Sequence, residues 1–303
     1  MAVKTLQSLL TGGKGALARA LADVESRPDA PETVALLAEA YCHPRGHVVG
    51  ITGPPGVGKS TLINALIAGW RGAGRSVGVI AVDPSSRRSK GALLGDRTRL
   101  KTDPEDQGIF VRSMAARDRL GGLAGLTVAS MVLMRALYDV VLIETVGVGQ
   151  SETDVVRVAD TVLFCVQPGS GDSLQFMKAG IAEIPHIVAV TKADMDREAR
   201  RARADVEGAL GLAAAQDDWD IPVLMVSSQR ATGIEDLIAA IDAHAAHLAP
   251  ALADTRRRQA EEWLTEFVRE RFGREGVKKA GALTLADDQT PFQRLAEVAK
   301  GLA

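Results

Sequence analysis

The chain is short of several things, and each shortage closes off a class of function. It has two cysteines in 303 residues, Cys42 and Cys165, too far apart to form a thiolate metal pair by local spacing. Both are expected to behave as small buried hydrophobes in a reducing compartment. There is no basic excess: 36 Lys and Arg stand against 38 Asp and Glu, a formal net charge of −2, which argues against a nucleic-acid partner. No apolar run reaches the roughly 18 residues of a membrane-spanning helix. The opening MAVKTLQSLLTGGKG has a lysine but no sustained apolar stretch ending in small residues, so no secretory leader is expected and the cytoplasm is the expected location. Repeats, low-complexity tracts and a Cys/His cluster are lacking too. His244-x-x-His247 falls in a helical pattern and reads as a solvated pair rather than a metal site.

What is present is ordinary in amount, 46% hydrophobic and 24% charged residues, and the length suits one large α/β domain with helical additions or two small domains. Three regions separate by pattern. Residues 1–45 are helical, with Leu17, Leu21 and Val24, then Val34, Leu37 and Tyr41, at helical spacing, punctuated by Pro28 and Pro31 and closed by Pro44. Residues 46–249 alternate apolar runs with helical segments: HVVGIT (47–52), VGVIAV (77–82), VVLIET (140–145), TVLFCV (161–166), HIVAVT (186–191) and PVLMVS (222–227). Runs that are apolar at every position, not every second one, suit strands covered on both faces, and the strand–helix alternation predicts a mainly parallel, doubly wound sheet. GIFVRSM (108–114) is a candidate edge strand. Residues 250–303 form a helical arm. There RRRQAEEWLTEFVRERF predicts one amphipathic helix whose apolar face carries Trp263, Phe267 and Val268. That face must pack on the N-terminal helices or on a second subunit. A short helix, TPFQRLAEVAKGLA, is predicted at the end.

Gly53-Pro54-Pro55-Gly56-Val57-Gly58-Lys59-Ser60 matches G-x-x-x-x-G-K-[ST], between an apolar strand and a helical segment opening at Thr61. Glycines let successive backbone N–H groups turn onto phosphates, and the helix N-terminus adds its dipole. Lys59 supplies a point charge between the β- and γ-phosphates, and the Ser60 hydroxyl suits Mg²⁺. By residue usage such a match arises by chance in on the order of one in a hundred chains of this length. The strand and helix flanks make chance less common still.

The run HIVAVT leads into Thr191-Lys192-Ala193-Asp194, and PVLMVS ends in Ser227, with Ser228 next. A carboxylate only accepts hydrogen bonds, and guanine offers two donors side by side where adenine offers an acceptor. Asp194 is therefore expected to read guanine, with the Lys192 stem along the base and the Ser228 N–H on its oxygen; the alternative is a surface turn with Asp194 or Asp196 as a helix cap. Thr191 stands where the pattern usually has Asn. Asp83 and Glu144 close two apolar runs and are expected near Mg²⁺ or its waters, the alternative again being helix caps. Gly147 can bring its N–H close to a γ-phosphate. The polar, basic stretch 83–101 is a candidate for a segment ordered by nucleotide, the alternative being that its Arg and Lys residues form a solvated face.

These residues resemble a specific family, the MeaB/ArgK GTPases, which include the methylmalonic aciduria type A protein. The resemblance lies in TGPPGVGKSTLINAL, AVDPSS…LLGDRTR, ETVGVGQSE, PGSGDSLQFMKAGI and TKAD, and extends from about Gly12 to Phe272. It implies a P-loop GTPase that chaperones an adenosylcobalamin-dependent acyl-CoA mutase, gating cofactor delivery from an adenosyltransferase and protecting the mutase. It also implies Mg²⁺ linked to Ser60, Asp83, Asp96 and Glu144, and a further switch around Gly169, Asp172 and Lys178 that signals to the mutase. By spacing alone, Lys178 is a solvated helix residue. A homodimer through the C-terminal helix is implied as well. Lys59 with Mg²⁺ would neutralise charge during hydrolysis, and Gln150 or Glu144 would orient the water. The rival readings are a metallochaperone GTPase, a nucleotide-dependent kinase and a module that holds GTP without hydrolysing it.

Overall fold

A computed structural model describes residues 5–84, 100, 102–116, 125–145, 155–169, 185–211 and 218–302, with the backbone alone at Asp83, Pro84, Ala115, Ala116 and Gly125. The chain forms two compact units. One comprises residues 1–46, 124–139 and 251–303, the other residues 47–123 and 140–250.

The second unit is built on seven strands: β1 (His47–Thr52), β2 (Val77–Pro84), β3 (Ile109–Ala116), β4 (Val140–Glu144), β5 (Thr161–Val166), β6 (Ile187–Val190) and β7 (Val223–Met225). They pair in the order β3-β2-β4-β1-β5-β6-β7, every neighbour parallel, and the expected edge strand is there as β3. β4 and β5 are buried at every position, which is why they are apolar apart from Glu144 at the end of one and Thr161 at the start of the other. Successive side chains still divide between the faces. Leu163 and Cys165 join Ile51, Val79 and Leu142 beneath α3 (Lys59–Gly72) and α6 (Ile234–Leu248), where Leu62, Leu66, Trp70, Leu237 and Ile241 complete one core. Phe164, Val166, Val188 and Val190 face the other way, onto Ala199 and Val206 of α5 (Asp196–Leu210). Each fully buried aliphatic side chain contributes roughly 1.5–3 kcal/mol.

The first unit is helical: α1 (Leu6–Ser26), α2 (Pro31–Cys42), α4 (Gly125–Leu137), α7 (Leu252–Ala280) and α8 (Pro291–Leu302). α1 opens with a capping box, the Thr5 hydroxyl accepting from the Ser8 N–H and the Ser8 hydroxyl from the Thr5 N–H. α2 opens at Pro31, whose missing N–H would find no partner in the first turn anyway. α7 breaks at Gly273, where φ is 71°. Its apolar face packs on α8, with Trp263 5.4 Å from the rings of both Phe267 and Phe292. α8 in turn packs on α2.

Two expectations are corrected here. Cys42 lies on the surface at the end of α2; only Cys165 is buried. His244 is not solvated: it is 3% exposed, its ring 4.3 Å from that of His186 and 4.9 Å from Trp219, and Thr161 Oγ1 lies 2.7 Å from its Nδ1. Helical spacing relates His244 to His247 but does not say which of them faces the sheet. Among the described residues no helix is long and apolar enough to cross a membrane.

Candidate functional site

The site lies at the C-terminal edge of the sheet, around the end of β1. Because β1 pairs with β4 on one side and β5 on the other, the loop that follows it meets the ends of both. The loop leaves β1 through Gly53, whose φ is 132° and whose Cα lies so close to β5 that an added Cβ would stand 2.3 Å from the Cys165 carbonyl oxygen. Val57 is fully buried and anchors the loop in the core beneath α3. Gly58, also at positive φ, leads into α3, and among the described residues no side chain caps that helix. The first turn of α3 therefore keeps backbone N–H groups directed at the loop, an arrangement suited to an anion.

Lys59 is 7% exposed, and its ammonium donates to the carbonyls of Gly53 at 2.6 Å and Pro54 at 3.1 Å. The Ser60 hydroxyl donates to Glu144 Oε1 at 2.7 Å. Glu144 is 8% exposed at the end of β4, in register with Ile51 of β1, so the strand pairing itself delivers it to the start of α3. Asp83 sits on the neighbouring strand, two residues beyond the Ala81–Glu144 pair and thus at the same edge of the sheet. Beneath the loop, burial pushes the Cys165 thiol up to about 12, so it stays uncharged. Pro55, Gly56 and Thr61 lie on the exposed rim.

The second cluster is built by the ends of β6 and β7. The Thr191 hydroxyl is buried and directed at the carbonyls of Val57, 2.7 Å away, and Val166, 2.9 Å away. It ties the loop after β1 to the end of β5. Lys192 follows in the left-handed region, with φ 53°, and its ammonium donates to the Gly56 carbonyl at 3.0 Å and to Gln167 Oε1. Asp194 accepts from the Ser227 hydroxyl at 2.8 Å. That bond, then its own backbone N–H and the nearby Arg230 and Lys192, hold its carboxyl below the usual range, so it stays an acceptor. Ser227 is fixed by paired backbone bonds with Thr232, at 3.0 and 3.1 Å, and Ser228 is next in the loop they close.

The fold thus gathers residues 53–61, Glu144, Thr191, Lys192, Asp194, Ser227 and Ser228 along one sheet edge, with the Asp83 backbone. Gly169 lies just beyond β5, exposed, with φ 72°. Asp96, Gly147, Gln150, Asp172 and Lys178 lie outside the described residues. Gln167 was missed by the sequence reading. The only hint in the sequence is that it is the first polar residue after a fully buried strand.

The donors fit the groups expected of such a site. Ser60 Oγ and the Glu144 carboxylate are hard oxygens already within 2.7 Å of each other, the ligand type that Mg²⁺ prefers. Asp194 offers a fixed, acceptor-only carboxylate to a base with paired donors.

The sequence model of the family described as "Methylmalonyl Co-A mutase-associated GTPase MeaB" matches residues 17–280. The Escherichia coli protein named "GTPase ArgK" is 36% identical over 88% of this chain and 83% of its own length. The mouse protein named "Methylmalonic aciduria type A homolog, mitochondrial" is 36% identical over 73% of this chain and 55% of its own. Among solved structures, one titled "LAO/AO transport system kinase" superposes with a TM-score of 0.69 at 28% identity, over 97% of this chain and 96% of that one.

Proposed function

The chain belongs to the MeaB family and is a GTPase, and from that premise we propose that it is a Mg²⁺-dependent GTPase serving an adenosylcobalamin-dependent acyl-CoA mutase. The carrying observation is the joint placement of two clusters on one sheet edge: Lys59, Ser60 and Glu144 at the loop after β1, and Lys192 and Asp194 at the end of β6.

In this reading residues 53–58 and the N-terminus of α3 hold the phosphates through backbone N–H groups. Lys59 exchanges its two carbonyl partners for phosphate oxygens and places a positive charge where negative charge develops. Ser60 and Glu144, with Asp83 at the next strand end, hold Mg²⁺, directly or through water. The metal supplies charge neutralisation at the β- and γ-phosphates. Asp194 accepts from the guanine N1–H and N2 amine, the Lys192 stem lies along the base, and Ser228 meets the guanine oxygen. Glu144 or Gln150 orients the water. Asp96, Gly147, Asp172 and Lys178 stay with the roles the family resemblance gives them. Adenosyltransferase is the expected source of the cofactor. Since α8 covers the Trp263 face of α7, a homodimer would use another surface of the arm.

The mutase assignment draws on the family's description and on the mouse relative's name. It is tested by measuring GTP hydrolysis with Mg²⁺, alone and with each cobalamin-dependent acyl-CoA mutase of the source organism, against ATP. Stimulation by one mutase with ATP inert supports it. GTP turnover indifferent to every mutase removes the client assignment and leaves the GTPase.

A further inference from the structure

We propose that Gln167 is a positioning residue of the guanine site, holding the Lys192 ammonium against the phosphate loop so that the lysine stem is set before a base arrives. This rests on the assignment of Lys192 to the base.

Three observations converge on it. The pairing of Val166 with Val190 brings the ends of β5 and β6 side by side, so Gln167 stands level with Thr191 and next to Lys192. Thr191 and Lys192 then take hold of two successive loop carbonyls, the hydroxyl on Val57 and the ammonium on Gly56. Lys192 achieves this from a left-handed backbone, φ 53° and ψ 38°, a conformation that a non-glycine residue keeps only when its surroundings fix it. An ammonium has three donors and no acceptor. Gly56 O takes one donor and Gln167 Oε1 a second, and the two acceptors lie on different elements. Together they fix the far end of a flexible four-carbon stem. With one acceptor the exposed stem regains its rotamers, and a flat face for the base has to be rebuilt at each binding event. Gln167 is half-buried between Val166 and Pro168, which restricts its own movement.

The test uses the full chain. Gln167→Leu and Gln167→Ala remove the acceptor, Gln167→Glu keeps it, and Lys192→Met removes the donor. Dissociation of a fluorescent GDP analogue, KM and kcat for GTP, and melting temperature are read for each. Loss of the acceptor is expected to raise the dissociation rate and KM about five- to tenfold, with kcat within about twofold and an unchanged melting temperature. Gln167→Glu is expected to restore both. In the Lys192→Met background, Gln167→Leu is expected to add less than about twofold. The proposal is overturned if Lys192→Met weakens binding while both acceptor-removing variants match wild type, or if the two effects multiply in the double variant. If Lys192→Met itself leaves GDP affinity unchanged, the base assignment fails and this inference goes with it.

Discussion

The glycines of the phosphate loop make the sharpest prediction, because the structure assigns them different costs. At Gly53 an added methyl group would meet the Cys165 carbonyl oxygen at 2.3 Å, with the carbonyl carbon at 3.1 Å and the amide nitrogen at 3.2 Å. All three are main-chain atoms of β5, which is hydrogen-bonded to β1 on one side and β6 on the other and cannot step back. The backbone there also sits at φ 132°, a region closed to residues with a Cβ. Overpacking costs about 1–3 kcal/mol and the strained backbone about as much again, so Gly53→Ala should lose about 2–6 kcal/mol. At Gly56, φ is 75° but an added Cβ meets nothing within 4 Å. Only the left-handed strain remains, about 1–2 kcal/mol, partly offset by the stiffer unfolded chain. Urea unfolding without nucleotide keeps this comparison separate from any effect on binding. The expected order is wild type, then Gly56→Ala within about 1 kcal/mol, then Gly53→Ala far below or failing to fold where Gly56→Ala folds. Equal losses at the two positions, or a Gly53→Ala variant as stable as wild type, would refute the close approach of loop and strand.

Thr191→Val should lower stability by about 1–3 kcal/mol, because it leaves the Val57 carbonyl without its hydroxyl partner, while Thr191→Ser should cost under about 1 kcal/mol; thermal melting of the pair checks the order. Burial first, then the neighbouring His186, His47 and His247, lowers His244 to about 3, with the nearby Asp160 acting in the opposite direction. A histidine depressed in the folded state adds stability above its unfolded value near 6.5, which is lost as pH falls below that. Acidification to pH 5.5 should therefore cost about 1 kcal/mol, and unfolding of His244→Gln should show a flatter slope between pH 6.5 and 5. Asp194→Asn exchanges an acceptor for a donor at one position of the base edge and should shift preference towards xanthosine nucleotides about tenfold or more, as read by competition binding; an unchanged preference removes the base assignment.

How far the sequence carried this reading depends on which contacts are local. The strands were legible because burial on both faces forces unbroken apolar runs. Their ends were less so: the run 186–191 yields only Ile187–Val190, and 222–227 only Val223–Met225, although backbone bonds from His186 to Val162 and from Thr191 to Val166 carry the contact a residue beyond the strand. The loop 53–60 was legible because its function is written in consecutive residues. Gln167 was not, because its partner lies 25 residues away and is reached only through the β5–β6 pairing. The Trp263 stripe showed that a face must be covered but not by what. The covering helix, α8, lies beyond the residues that the family model matches.

The contrast between the two cysteines has a practical consequence. Cys42 is open to solvent, whereas Cys165 is fully enclosed under the phosphate loop with its thiol held neutral. A brief maleimide pulse on the native chain should label Cys42 and leave Cys165 untouched, giving a single spectroscopic handle on the helical unit without mutagenesis. The much slower modification of Cys165 then becomes a clock for how often the sheet opens beneath the loop, and any ligand that closes the loop should slow that clock.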